Sequence, residues 1–180
     1  MGVRMKLLTL SLMAAALASS ATAQTAPLVP GFGAVAPVMD AHERPDPGRE
    51  YKVVFDVSKG ATERDKPAAG LERVARFVNM LGAGGVPAEK RRIVAVLHGP
   101  ATEAVMTDAA YGLRHGGAKN PNGALIAALE RAGVDVRVCG QALAGQKIAR
   151  DDVLSAVQVD LAALMTVTHL QFAGYALVVS

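Results

Sequence analysis

The chain has 180 residues, a formal net charge of +3, one cysteine and no tryptophan. Two of the positive charges, Arg4 and Lys6, belong to an N-terminal stretch that we expect to be removed, which leaves a net charge of about +1. This balance and the low aromatic content of 4% argue against nucleic-acid binding, because neither a basic surface nor a base-stacking platform is indicated.

Residues 1–23 have the pattern of a secretory signal peptide. Two basic residues precede a mostly apolar stretch, 7–18, that is too short to cross a bilayer comfortably. Small residues at both ends of 21–23 fit the signal-peptidase site, so the mature chain should begin at Gln24. An uncleaved anchor is the alternative. We therefore expect a periplasmic or secreted protein without membrane attachment after cleavage.

The remaining chain divides by composition. Residues 24–49 are rich in proline, alanine and glycine and show no periodicity, which indicates an extended arm able to dock on a neighbouring subunit. Residues 50–180 show the alternation of a globular α/β domain of ordinary size.

The first half of this domain begins with a predicted strand, 51–57, that is dense in β-branched and aromatic residues. Apolar residues at helical spacing between 71 and 81 predict a helix, which glycines in 82–85 end. An uninterrupted apolar strand, 93–97, is typical of a central parallel strand covered on both faces. A short helix is predicted around 101–106.

The second half contains a glycine-rich segment, 111–119, that is predicted to be irregular. Asn120 as N-cap and Pro121 as first helical residue then predict a helix that ends at Gly133. The remaining predicted elements are strands over 134–138, 153–157 and 175–179 and a helix over 161–172. This alternation predicts a mostly parallel sheet of about five strands with helices on both faces.

The only cysteine, Cys139, ends one of these strands, and His98 ends another. Carboxyl ends of parallel strands meet at one edge of a sheet, where ligands commonly bind. A lone thiol in an exported protein is buried and inert, paired with another molecule, or kept for chemistry. If it reacts, the N–H groups of Gly140 and Gln141 would stabilise its thiolate. His98 is either a proton donor or cation for that thiolate, or a structural histidine.

Other kinds of site lack support. The histidines are far apart and there is no C-x-x-C pair, so we expect no metal site. The glycine-rich segments match neither a P-loop nor a dinucleotide-binding fingerprint, and no G-x-S-x-G elbow is present. We therefore expect no cofactor.

Several motifs in this order resemble the DsrE/DsrF-like family. They are Val-Leu-His-Gly at 96–99, the Asn120-Pro121 helix start, the Val-Cys-Gly-Gln turn at 138–141 and the tail at 170–176. The resemblance covers residues 51–180 and implies a flavodoxin-like three-layer sandwich that assembles as a homo-oligomer. It also implies sulfur metabolism, with sulfur carried on Cys139 as a persulfide and exchanged with a donor or acceptor protein or a small sulfur species. Because the chain carries a signal peptide and has Gly-Gln after the cysteine, it resembles an exported branch.

We therefore predict sulfur or thiol chemistry through Cys139, with His98 as the second catalytic residue. Ligand contacts are assigned to Gly99, Asn120, Gly140 and Gln141. The alternatives are a non-catalytic small-ligand or assembly module with a structural cysteine, and a thiol redox sensor.

Overall fold

The computed structural model describes residues 26–63 and 65–180. The predicted signal peptide, residues 1–23, lies outside the described residues. No helix in the described ranges is long and apolar enough to cross a bilayer.

Five strands form a parallel sheet in the order β4-β3-β2-β1-β5. The strands are β1 (Tyr51–Val57), β2 (Arg91–Leu97), β3 (Val134–Cys139), β4 (Gln158–Asp160) and β5 (Ala176–Val179). The helices are α1 (Ala69–Ala83), α2 (Asp108–Arg114), α3 (Gly123–Arg131), α4 (Gly140–Gly145) and α5 (Ala163–Phe172). Short 3-10 helices occupy Ala88–Lys90, Gly99–Val105 and Arg150–Asp152. This architecture confirms the predicted fold class.

The two faces of the sheet are covered unequally. One face packs against α1 and α3 and forms the larger core, to which β1 contributes Val53, Phe55 and Val57. The other face carries Val54 and its counterparts on β2, and α5 packs on it over β1, β2 and β5. Because side chains alternate along a strand, β1 and β2 bury both of their faces. On this same face, β3 and β4 are covered by α5 less extensively than β1, β2 and β5 are.

The arm packs on α1 of its own chain. Asn79 is buried on α1; its Oδ1 accepts from the N–H of Val29 at 2.8 Å, and its Nδ2 donates to the carbonyls of Phe32 at 2.9 Å and Gly33 at 3.1 Å. A Cβ on Gly33 would lie 2.2 Å from the backbone nitrogen of Arg76. Glycine is therefore needed where the arm crosses the helix.

The segment predicted to be irregular at 111–119 is partly helical, so that prediction is wrong in its first half. The helix α2 covers Asp108–Arg114. Thr107 caps it by accepting from the N–H of Ala110, and buried Tyr111 anchors it in the core. A cap and one buried aromatic residue outweigh the unfavourable helix propensity of Gly112.

The strand predicted at 153–157 is also wrong. Val153 makes a single antiparallel bridge with Met106, and β4 begins only at Gln158. The N–H of Val157 donates to the carbonyl of Leu154 at 3.0 Å, which closes a turn inside the apolar run. Apolar residues here fill the core from a loop, and periodicity cannot distinguish that from a short strand.

The predicted start of α3 lies two residues too early. The helix begins at Gly123, with Asn122 at the N-cap position. Asn120 accepts from the N–H of Asn122 at 2.9 Å, so the Asn120-Pro121 pair forms a turn before the helix instead of its first residues.

Candidate functional site

The carboxyl edge of the sheet brings His98 and Cys139 together. β2 and β3 pair through Leu97 and Val138, and the next residues along the two strands are His98 and Cys139. Neighbouring strands lie about 4.8 Å apart, so continuing this register by one residue places the two side by side. Leu97 and Val138 belong to the larger core, so the side chains that follow them face the side of α5.

Cys139 is 7% exposed and packs in the smaller core with Val94, Val96 and Ala163. It is a free thiol. No hydrogen bond to its Sγ is found within residues 26–63 and 65–180. Its neighbour on β4 is Asp160. The thiol therefore lies at the junction of β3, β4 and the start of α5.

Gly140 makes this junction possible. A Cβ at Gly140 would lie 2.8 Å from the carbonyl oxygen of Asp160 and 3.4 Å from that of Leu161. The turn from β3 into α4 is thus pressed against the chain that leaves β4. Glycine after Cys139 has a steric reason that the sequence motif alone does not reveal.

His98 is held by a carboxylate on β1. Its Nε2 contacts Oδ1 of Asp56, and the two side chains are 31% and 27% exposed. A carboxylate accepts hydrogen bonds, so Nε2 carries the proton and Nδ1 is the remaining acceptor of the neutral ring. Asp56 lies between two residues of the larger core and therefore faces the same side as His98 and Cys139.

Asp56 was missed by the sequence analysis. The available signal is one acidic residue near the carboxyl end of an otherwise apolar strand, Tyr51–Val57. An apolar strand pattern that is interrupted by a carboxylate near the carboxyl edge of the sheet is a feature that sequence reasoning can use. The partner of that carboxylate is visible only from the register of the strands.

A charged cluster continues from Cys139 along the same face. Arg137 donates from Nε to Asp135 at 2.9 Å and lies 3.5 Å from Asp160, while Thr166 on α5 donates to Asp160 at 2.6 Å. The hydrogen bond to Asp135 raises the pKa of Arg137 above its ordinary value, although burial acts in the opposite direction. Since two carboxylates balance this one guanidinium, the cluster supplies no surplus positive charge to the thiol.

Three of the four predicted ligand residues lie at this edge. Gly99 follows His98 with a φ of 53°, and Gly140 and Gln141 open α4. The side chain of Gln146 donates to the carbonyl of Gly99 at 2.7 Å and so joins the turn after His98 to the helix after Cys139. Ligand binding by these residues stays a prediction.

Asn120 lies elsewhere, buried between α2 and α3. Its Nδ2 donates to the carbonyls of Ala104 at 2.9 Å and Met106 at 2.6 Å, and its Oδ1 accepts from the N–H and the Nδ2 of Asn122. All these partners belong to the chain itself. The geometry favours a structural role for Asn120, and its assignment as a ligand residue stays a prediction.

Other possible sites do not coincide with Cys139. Among the described residues, no three His, Cys, Asp or Glu side chains are grouped so that they could hold a metal ion. A groove of about 820 Å³ lies between the arm and α1, lined by residues that include Phe32, Glu72 and Arg76. The thiol, imidazole and carboxylate at the sheet edge therefore form the group whose chemistry is easiest to define: a thiol can lose its proton to an imidazole, and a thiolate can act as a nucleophile.

Comparison with known proteins places this fold in context. Two solved structures are similar: a protein of unknown function, MTH1491, from Methanobacterium thermoautotrophicum (20% identity, TM-score 0.53) and the ychN protein from E.coli (13% identity, TM-score 0.50). Each match covers 72% of this chain and 99% of the other. At these identities the likeness shows the fold alone. No curated protein matches the chain significantly.

The sequence model of the DsrE/DsrF-like family matches residues 52–180, a range that contains nearly all of β1 and every later strand and helix. This chain therefore belongs to the DsrE/DsrF-like family.

Proposed function

We propose that this protein is exported and carries sulfane sulfur on Cys139, passing it between a donor and an acceptor. One observation carries the proposal: the only cysteine ends an interior strand beside a histidine that a carboxylate holds. Family membership supports it, because the resemblance implies a persulfide carrier.

The chemistry requires no oxidant. The thiolate of Cys139 attacks the outer sulfur of a donor persulfide, R–S–SH; a new S–S bond forms and the S–S bond of the donor breaks. The donor leaves as a thiolate, R–S⁻, and takes up the proton that Cys139 lost. His98, which follows β2 beside Cys139 when the β2–β3 register is continued by one residue, is the group that would hold that proton until the donor thiolate takes it up.

Burial of the thiol favours the main alternative, a binding or assembly module with a structural cysteine. A thiol that is 7% exposed and packed against apolar neighbours resembles a small hydrophobic core residue. The same burial makes a disulfide with a neighbouring subunit less favourable, and so weakens the redox-sensor hypothesis. The two remaining functions differ in whether Cys139 reacts in the folded protein.

Intact-mass analysis after incubation with polysulfide tests the proposal. We expect gains in steps of one sulfur atom that Cys139→Ser abolishes without changing the thermal melting curve. Sulfide alone is the matched control, because a thiol and sulfide form a persulfide only with an oxidant. If Cys139 gains no sulfur and alkylates only after denaturation, the structural-cysteine function replaces this one.

We also propose that a second copy of the chain covers the outer side of α5 and the edge strand β5. Leu164 and Phe172 on α5 are each 83% exposed, and all of β5 is exposed. The other exposed large apolar residues of this surface are Leu161, Met165, Leu177, Val178 and Val179. Monomers rarely leave an apolar patch of this kind uncovered.

Light scattering tests the assembly. The double variant Leu164→Glu/Phe172→Glu should reduce the molecular mass to that of a monomer while the melting curve stays cooperative. Leu113→Glu is the matched control, because Leu113 is 89% exposed on α2, outside this surface. A monomeric wild-type protein at micromolar concentration would contradict this proposal.

Export has its own test. The mature protein recovered from the periplasm or medium should begin at Gln24 by mass spectrometry. A mature protein that still begins at Met1 and remains bound to membranes would contradict it.

A further inference from the structure

We propose that Asp56 is a positioning residue that holds His98 as the proton acceptor for Cys139. This inference rests on the proposed function in one respect only, namely that Cys139 acts as a nucleophile. It adds a residue of β1 to the two that the motifs indicate.

The three side chains come from three adjacent strands and face the same side of the sheet. Asp56 is paired with Val96 in the β1–β2 register, and His98 follows Val96 by two residues on the same face. The contact between Oδ1 of Asp56 and Nε2 of His98 therefore runs diagonally from β1 to β2. Cys139 is on the opposite side of His98, on β3.

This contact decides which ring nitrogen can accept the thiol proton. With Nε2–H donated to Asp56, the lone pair of neutral His98 is on Nδ1. When Nδ1 takes the proton, the ring becomes an imidazolium whose charge the carboxylate of Asp56 stabilises. Asp56 stays ionised throughout and never receives the proton.

The remaining charges around Cys139 do not supply this stabilisation. Asp160 is the register neighbour of Cys139 on β4, and a carboxylate there opposes formation of a thiolate. Arg137 offsets Asp160 but is shared with Asp135. An additional positive charge is therefore needed beside the thiol, and protonated His98 is placed to provide it.

The other elements at this edge add little. α4 contains no ionisable side chain, and α5 carries only His169, in its last turn. The 3-10 helix after His98 carries Glu103, which pairs with Arg114 and His115. Lys59, after β1, is exposed. We therefore expect substitutions in the Asp56–His98 pair to change how readily the thiol of Cys139 ionises.

The rate of alkylation of the folded protein by iodoacetamide, measured across pH, tests the inference. In this reaction the thiolate sulfur attacks carbon, iodide leaves, and His98 keeps the proton. Asp56→Asn preserves shape but removes charge. We expect it to slow alkylation at about pH 6–7 by about tenfold, since one unit of thiol acidity changes the thiolate fraction tenfold. At about pH 10, where thiols ionise without help, the rates should converge.

Two further variants separate positioning from structure. His98→Ala should lower the rate at neutral pH as Asp56→Asn does, and the double variant should lose no more than either single variant, because the two residues act as a unit. Glu103→Gln is the matched control: it removes the charge from another carboxylate–imidazole pair and should leave the pH profile unchanged.

Three results would overturn the inference: a pH profile of Asp56→Asn that matches the wild type, an equal loss of rate at every pH, or additive losses in the double variant. If Asp56→Asn does not fold, ¹⁵N NMR of the wild-type imidazole decides. The Nε2–H form should predominate in the neutral ring, and alkylation of Cys139 should alter the titration of His98. A ring that carries its proton on Nδ1, or that does not respond to alkylation, would refute the inference.

Failure of the proposed function is distinguishable from failure of this inference. If polysulfide adds no sulfur but Asp56→Asn shifts the alkylation profile as expected, the pair activates a thiol that serves another purpose. If polysulfide adds sulfur but the profile does not shift, the carrier function stands and the role of Asp56 is wrong.

Discussion

The hydrogen bonds between Asn79 and the backbone of the arm, which we call the Asn79 clamp, can be tested for their contribution to holding the arm on α1. Asn79 is 4% exposed and makes its three shortest hydrogen bonds, of 2.8, 2.9 and 3.1 Å, to the backbone of Val29, Phe32 and Gly33. A buried hydrogen bond contributes about 1 kcal/mol net, so Asn79→Ala should cost about 3 kcal/mol of the free energy of unfolding. That is a large fraction of the roughly 5–15 kcal/mol typical of a domain.

Release of the arm limits this cost. If the arm leaves α1, water satisfies the freed backbone groups. The loss in free energy of unfolding then equals the free energy that docking of the arm contributes. Val29 is fully buried there, and burial of one such side chain is worth about 1.5–3 kcal/mol. We therefore expect a loss of about 2–4 kcal/mol, together with faster proteolytic cleavage within 26–50.

Urea unfolding with a matched pair of variants measures the effect. Asn79→Asp keeps the acceptor for the N–H of Val29 but sets a buried carboxylate oxygen against the carbonyl oxygens of Phe32 and Gly33. Because that contact is repulsive and the charge is buried, the variant should cost at least as much as Asn79→Ala. Arg76→Ala removes a solvent-exposed bond of 3.1 Å from the same helix to the arm and should cost less than about 0.5 kcal/mol. If Asn79→Ala changes stability no more than Arg76→Ala, and cleavage of the arm is not faster, the clamp does not hold the arm.

Two further expectations concern the core and the turn beside the thiol. Thr102 is fully buried and its Oγ1 has no hydrogen-bond partner in the described structure, so Thr102→Val should raise the unfolding free energy by about 1 kcal/mol; a lower melting temperature would contradict this. Gly140→Ala places a Cβ 2.8 Å from the carbonyl of Asp160 and should cost about 1–3 kcal/mol while changing the alkylation rate of Cys139. Gly145→Ala is the control, because Gly145 lies on the same helix and a Cβ there would meet nothing within 4 Å. Equal effects of the two substitutions on melting temperature and on alkylation rate would refute the steric argument.

The fold class could be predicted from local patterns, because the spacing of apolar residues in each strand and helix indicates its type and which of its faces are buried. The apolar run at 93–97 gave a central strand, and the helical spacing between 71 and 81 gave α1. The predictions failed where an apolar or glycine-rich segment could satisfy its burial in more than one way. The run at 153–157 fills the core from a turn, and the segment at 111–119 contains a helix because Thr107 caps it.

The candidate site divides in the same way. The sequence alone determined that His98 and Cys139 end strands, and the rule for parallel sheets predicted a shared edge. Tertiary structure decided that β2 and β3 are neighbours in a register that sets the two side by side, and that Asp56 holds the ring of His98. It also decided that the arm lies on α1 and that Gly140 is pressed against β4. Strand order and register depend on pairings between distant residues, and no local pattern of side chains encodes which carboxylate will meet which imidazole.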